Sequence, residues 1–159
     1  MKEYRIEVGP KDISVDLVGA AVLNEIKEDL KITDLTKVNV IDVFNINADI
    51  NEIKATELCK ELFVDPVIQV FSINKPLVEE FDFALEVSFL PDVTDNIGIT
   101  AKRGTEDFLG RKLVDLETIR SAKLYLFFGE ITKEQVQKIA EKSLSNPIIH
   151  QIKIWTEKK

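Results

Sequence analysis

One histidine, His150, and one cysteine, Cys59, occur in 159 residues, so the usual bases, nucleophiles and metal ligands are scarce. A thiol turns reactive when a nearby cation or a helix start lowers its pKa. Cys59 instead lies within an amphipathic stretch, Leu58-Cys59-Lys60, with no histidine in its half of the chain, and a buried inert thiol is expected. One Cys and one His cannot form a metal site without an all-carboxylate arrangement. His150 occupies the place held by Gln69 in a pattern that occurs twice, and a position filled by either side chain points to a structural role. The 28 acidic residues are spread along the chain, and Glu3, Glu7, Asp12, Asp16, Asp92 and Asp95 read as solvated surface. Gly104 and Gly110 are not followed by the Lys-Ser/Thr pair of a phosphate loop, and no nucleophile elbow is present. The expectation is no catalytic residue, no metal and no cofactor.

Composition narrows the partners. The formal net charge of -7 argues against nucleic acid, whose non-specific binding needs clustered Lys and Arg. Lys102, Arg103 and Arg111 are the nearest approach to such a cluster. No apolar run approaches the ~20 residues of a membrane helix. A lone cysteine fits a reducing cytoplasm. A unit near 80 residues is marginal alone, so two of them should share a core or pair their sheets.

The elements around these residues occur twice. Val64-Asp65-Pro66-Val67-Ile68 and Ser145-Asn146-Pro147-Ile148-Ile149 each follow an amphipathic stretch and precede alternating apolar residues. Proline ends a helix well, so Pro66 and Pro147 mark helix ends, with strands from Val67 to Ile73 and Ile148 to Ile154. Tyr4, Ile6 and Val8 match Phe83, Leu85 and Val87 at an offset of 79, which also places Asp16 on Asp95 and Gly19 on Gly98. Val38, Val40 and Phe44 match Ala122, Leu124 and Phe128 at an offset of 84. Helices are expected from Asp16 to Leu30, from about Asn51 to Phe63, from Asp95 to Leu109 through Gly98 and Gly104, and after a Thr132–Gln135 capping box. The fold class is α+β. It comprises two tandem β-α-β-α-β units with pseudo-two-fold symmetry, antiparallel-rich sheets and helices on one face. The units span 1–75 and 82–159, joined by a linker at 76–81. Such a chain is an intrachain pseudo-dimer, with room for a further oligomer.

A second apolar set is expected on the sheet face away from the helices: Ile41, Val43, Tyr125 and Phe127, with Ile149 and Trp155 in the last strand. A solvated face would carry more charge. The favoured reading sets the two halves' sheets face to face; the alternative is a partner protein. Trp155, Ile149 and Asn146 are the candidate partner-binding residues, and Asp65, Pro66, Pro147, Gly19 and Gly98 mark the repeat.

The stretch Glu61-Leu-Phe-Val-Asp-Pro-Val-Ile68 and its twin Lys142-Ser-Leu-Ser-Asn-Pro-Ile-Ile149 resemble the last helix–strand joint of PurS. PurS is the small non-catalytic subunit of phosphoribosylformylglycinamidine synthase. Leu30 to Leu35, Val38 to Asn45, Phe83 to Val87 with Leu90-Pro91 and Asp95, and Thr118 to Tyr125 extend the likeness over nearly the whole chain. The single-chain synthase begins with a domain resembling two fused PurS units. This sequence departs at Gly98-Ile99-Thr100, where the single-chain enzymes tend to carry an arginine and an acidic residue. A contact with the synthetase core made by those groups would be altered here. The resemblance implies a bridging role between synthetase and glutaminase modules, with shielding of ammonia in transit, in the amidation of formylglycinamide ribonucleotide with ATP and glutamine. An unrelated module sensing a metabolite held between the two halves is the alternative.

Overall fold

The computed structural model describes residues 1–157; the last two positions of the expected second unit lie outside them. Among the described residues six strands and four helices follow one another: β1 (Lys2–Pro10), α1 (Leu17–Leu30), β2 (Leu35–Ala48), α2 (Glu52–Leu58), β3 (Gln69–Ile73), β4 (Phe83–Phe89), α3 (Asn96–Leu109), β5 (Thr118–Gly129), α4 (Lys133–Ile139) and β6 (His150–Thr156). α2 and α4 each run on into one π-helical turn, Cys59–Phe63 and Ala140–Leu144. The turns close with Val64 N–H donating to the Cys59 carbonyl at 3.1 Å and Ser145 N–H to that of Ala140 at 2.9 Å.

The strands form one sheet in the order β3-β1-β2-β5-β4-β6, not two sheets face to face. The central strands explain the difference. Val38 to Ile41 and Val43 are all buried, as expected of an interior strand with neighbours on both edges, while β3 and β6 at the sheet edges are only partly buried. Pairing is antiparallel where β1 meets β2 and β3, and where β4 meets β6.

Two compact units form, and they are not the sequence halves. The first contains 1–11, 42–77 and 94–122; the second contains 12–41, 78–93 and 123 onward. Each unit therefore takes its long helix from the other half of the sequence, and β2 and β5 each contribute to both. In the first unit Tyr4, Ile6, Val8, Ile46 and Ala48 pack with Leu58 and Phe63 of the α2 segment and Ala101 of α3. In the second, Val38, Val40, Leu85, Val87 and Phe127 pack with Ile26 of α1 and Val136 and Ile139 of α4.

Phe127 is fully buried on the helix side, with Tyr125 packed against the same cluster. This corrects their expected placement on the opposite face. The offset of 84 is the cause. An offset of 81 instead pairs Val38 with Ile119, Phe44 with Tyr125 and Ile46 with Phe127, and all six pack in the helix-side clusters. An odd error in offset reverses the facing of a strand, because side chains alternate with period two.

The long helices are docked by the same device. Asp16 caps α1 by accepting from Gly19 N–H at 2.9 Å, and its second oxygen accepts from Val40 N–H in β2 at 2.8 Å. Asp95 caps α3 by accepting from Gly98 N–H at 2.8 Å, and it also accepts from Ser121 N–H and hydroxyl, each at 2.6 Å. The carboxylate so placed draws the first helical turn onto the strand. A β-carbon on Gly19 would run into the Val38 carbonyl, and one on Gly98 into that of Ile119 at 2.8 Å. Glycine inside a helix costs about 1 kcal/mol against alanine, and close helix–strand approach is what that cost secures here.

Candidate functional site

The residues with most chemical potential are occupied structurally. Cys59 is fully buried, and burial pushes its thiol up to about 12, so it is no nucleophile at neutral pH. His150 accepts the Asn146 N–H at its Nδ1 at 2.9 Å, as Gln69 Oε1 accepts the Asp65 N–H at 2.9 Å. Asp65 and Asn146 complete matching turns, accepting at Oδ1 from Val67 N–H and Ile148 N–H, each at 3.0 Å. Pro66 and Pro147 stand inside these turns, which delay the following strands to Gln69 and His150. Among the described residues no group of three His, Cys, Asp or Glu is placed to hold a metal.

Glu117, only 2 % exposed, is held well below the usual carboxylate range, at about 2. The Arg111 guanidinium is the main cause, gripping both oxygens at 2.8 and 2.9 Å; the N–H groups of Asp49 and Val114 complete the set at 2.9 and 3.0 Å. This pair fastens the loop that follows α3, and it removes Arg111 from the basic cluster suggested by the sequence.

The three candidate partner-binding residues do not form one patch. Asn146 and Ile149 belong to the turn before β6, where Ile149 also accepts the Leu90 N–H at 2.9 Å. Trp155 lies near the other end of that strand, beside Ala84 on β4. At about 3.3 Å per residue the separation from Ile149 is roughly 20 Å. Trp155 is half-buried, and Lys153 Nζ lies 5.7 Å from its ring centroid. The most exposed apolar group at the turn is Ile148 at 79 %, a neighbour the pattern did not single out.

Two hollows occur in the first unit. One, about 370 Å³, is apolar and lined by Phe44, Leu62, Phe63, Ile97, Thr100 and Ala101 on the helix side, at the Gly98-Ile99-Thr100 departure. The other, about 500 Å³, has a lining that is about half polar. Glu3 and Arg5 of β1, Asn45 and Asn47 of β2, Thr118 and Arg120 of β5 and Asn74 after β3 line it. The strand residues among them alternate with helix-side Tyr4, Ile46 and Ile119, so they lie on the face away from the helices. Sequence reasoning missed this cleft. The alternation of Arg5 with Glu7 and of Asn45 with Asn47 was its signal, but the adjacency of β2 and β5 was needed to bring in Arg120.

Residues 3–76 match the family model described as PurS, phosphoribosylformylglycinamidine (FGAM) synthase, a little under half of the chain. Over residues 3–76 the chain is similar to the PurS family. No match was found among curated proteins. The PurS match runs from β1 through β3 and includes α1 with its Asp16 cap, the Cys59 π-turn and the Asp65-Pro66 turn. The Asn146-Pro147 turn and the Asp95 cap lie beyond it, in the second half.

Proposed function

We propose that this chain acts as a non-catalytic component of FGAM synthase in purine biosynthesis, organising synthetase and glutaminase modules in the cytoplasm and shielding ammonia between them. The observation that carries this reading is the PurS match over residues 3–76. The buried Cys59 and the turn-bound His150 agree with a role that supplies geometry instead of reacting groups.

The same reading makes the chain a tandem duplication of the PurS unit, an intrachain pseudo-dimer with approximate two-fold symmetry. Its support is the recurrence of fine detail. Asp16 with Gly19 and Asp95 with Gly98 recur at 79; the helix caps Asn51 and Thr132, the π-turns, and Gln69 with His150 recur at 81. Strand register follows suit, with Ile6 beside Ile73 and Leu85 beside Ile154. Trp155, Ile149 and Asn146 remain the proposed partner contacts, as two patches at opposite ends of β6.

The test mixes the chain with purified synthetase and glutaminase modules and follows FGAM formation. Glutamine-dependent synthesis should require the chain, ammonia-dependent synthesis should change little, and the chain alone should neither hydrolyse glutamine nor consume ATP. Equal glutamine-dependent rates with and without the chain, and no complex by size exclusion, would refute the reading. Trp155→Ala should weaken the complex without unfolding the chain; unchanged binding removes Trp155 from the interface and leaves the rest standing.

A further inference from the structure

Every strand side chain turned into the open-face cleft of the first unit is polar, and the arrangement is braced from behind. Glu7, 5 % exposed, accepts from Arg5 Nε at 3.0 Å and from Leu77 N–H at 3.0 Å, which fixes the plane of the guanidinium. Asn74, in the left-handed region at φ 57°, accepts from Arg5 N–H at 2.7 Å and donates its own N–H to the Arg5 carbonyl at 2.8 Å. Arg5 stands beside Asn45, and Glu3 beside Asn47, in the β1–β2 register. Arg120 and Thr118 close the cleft from β5. Tyr4 and Ile46 also border it, but their side chains belong to the helix-side core.

At four of the seven polar positions the scaffold does not demand this polarity. At offsets of 79 and 81 the positions of Arg5, Asn45, Asn47 and Asn74 are filled by Ala84, Leu126, Phe128 and Trp155. The fold accommodates alanine, leucine and aromatics at these four positions, so it does not itself require Arg5 and the three asparagines; the counterparts of Glu3, Thr118 and Arg120 are Asp82, Lys37 and Asn39, which are polar too. The core of a protein–protein contact is enriched in aromatic and apolar groups, and the side chains aimed into this cleft include none. Its volume of about 500 Å³ falls inside the range of about 300–1,000 Å³ usual for small-molecule sites.

We propose that this cleft binds a small phosphorylated metabolite. Arg5 and Arg120 take the phosphate, since a planar guanidinium offers paired donors to a tetrahedral anion. Asn45, Asn47 and Thr118 supply donors and acceptors to a hydroxylated body, and Glu3 at the rim accepts from its hydroxyls. The lining draws on both halves of the sequence yet belongs to one compact unit, which gives the metabolite-binding alternative a definite location. The inference does not depend on assembly into the synthase, because the isolated chain carries the whole cleft.

Titration of the isotope-labelled chain with glucose 6-phosphate at constant ionic strength, followed by NMR of the Asn side-chain amides and Arg Nε groups, is the test. Saturable shifts confined to Asn45, Asn47, Asn74, Arg5 and Arg120 are expected. Arg120→Gln should weaken binding about tenfold, the scale of one lost charge-assisted hydrogen bond. Asn45→Leu, which installs the residue found at the offset position, should stay folded and lose binding as well, while Lys138→Gln on α4 should bind like the parent chain. Shifts that never saturate and scatter over the surface would overturn the proposal, as would equal affinity in the Arg120 and Asn45 variants. It would equally be overturned if glucose 6-phosphate caused no shifts while Arg120→Gln lost purified synthetase, because the cleft would then dock an acidic protein segment.

Discussion

Glu117 shows how a single side chain can tie acid stability to one loop. Its carboxylate is nearly inaccessible and accepts four hydrogen bonds, two from Arg111 and one each from the Asp49 and Val114 N–H groups. The folded-state pKa of about 2 lies below the ordinary 4.5, so the unfolded chain binds the proton more readily. The stabilisation is therefore complete above about pH 4.5 and is lost as pH falls toward 2. Glu117→Gln should cost about 1.5–3 kcal/mol at pH 7, the range for hydrogen bonds to a charged group. It should also flatten the decline of the urea midpoint between pH 4.5 and 2. Parallel pH profiles for parent and variant would remove Glu117 as the titrating group. Nothing in the sequence marks this residue among 28 acids; only the fold brings Asp49 beside it across 68 positions.

At the scale of elements, the joint from π-turn to Pro turn to edge strand is the most repeated feature of the chain. Gln69 and His150 perform one task with different chemistry, each accepting the N–H four residues earlier. His150→Gln should accordingly leave stability within about 0.5 kcal/mol of the parent. His150→Leu, which has no acceptor, should cost about 0.5–1.5 kcal/mol, the usual net worth of such a bond. Equal urea midpoints for the two variants would refute the assigned role. Much of this level was legible beforehand. Helix caps and proline turns act within a few residues, so the starts of α1 and α3 and the Thr132–Gln135 capping box could be placed from local pattern, whereas Asp95 and Glu7, expected as solvated surface, are buried. Facing was not so secure in β2 and β5. Both carry apolar residues at consecutive positions because both are interior, and an uninterrupted apolar run does not reveal which of its side chains meets the helices.

For the whole molecule, partnership between elements decided what sequence could not. Periodicity reports that α1 has an apolar stripe but not which strands receive it, and the chain order suggested the nearest ones. The structure instead assigns α1 to the unit containing β4 and β6, and α3 to the unit containing β1 and β3. Neither sequence half holds all the segments of either unit. Fragments 1–77 and 78–159 should each be largely unfolded in isolation and regain parent-like circular dichroism and amide protection when mixed in equal amounts. A 1–77 fragment that is monomeric and cooperatively folded alone would show that the exchange of long helices is dispensable.

This exchange also governs the order in which the protein can be made. A growing chain leaves the ribosome from its amino terminus, and domains generally fold as units in that order. Here the first unit lacks its long helix until Leu109 has emerged, and the second lacks its closing edge strand until Thr156 has. Val38, Val40 and Ile26, among the earliest apolar residues synthesised, wait for Leu85, Phe127 and Val136 before they are enclosed. Such distant partners slow folding, because the loop entropy must be spent before the contacts repay it. Until Thr156 has emerged the nascent polypeptide carries unburied strands, and shielding it from its neighbours on the polysome becomes a requirement of its architecture.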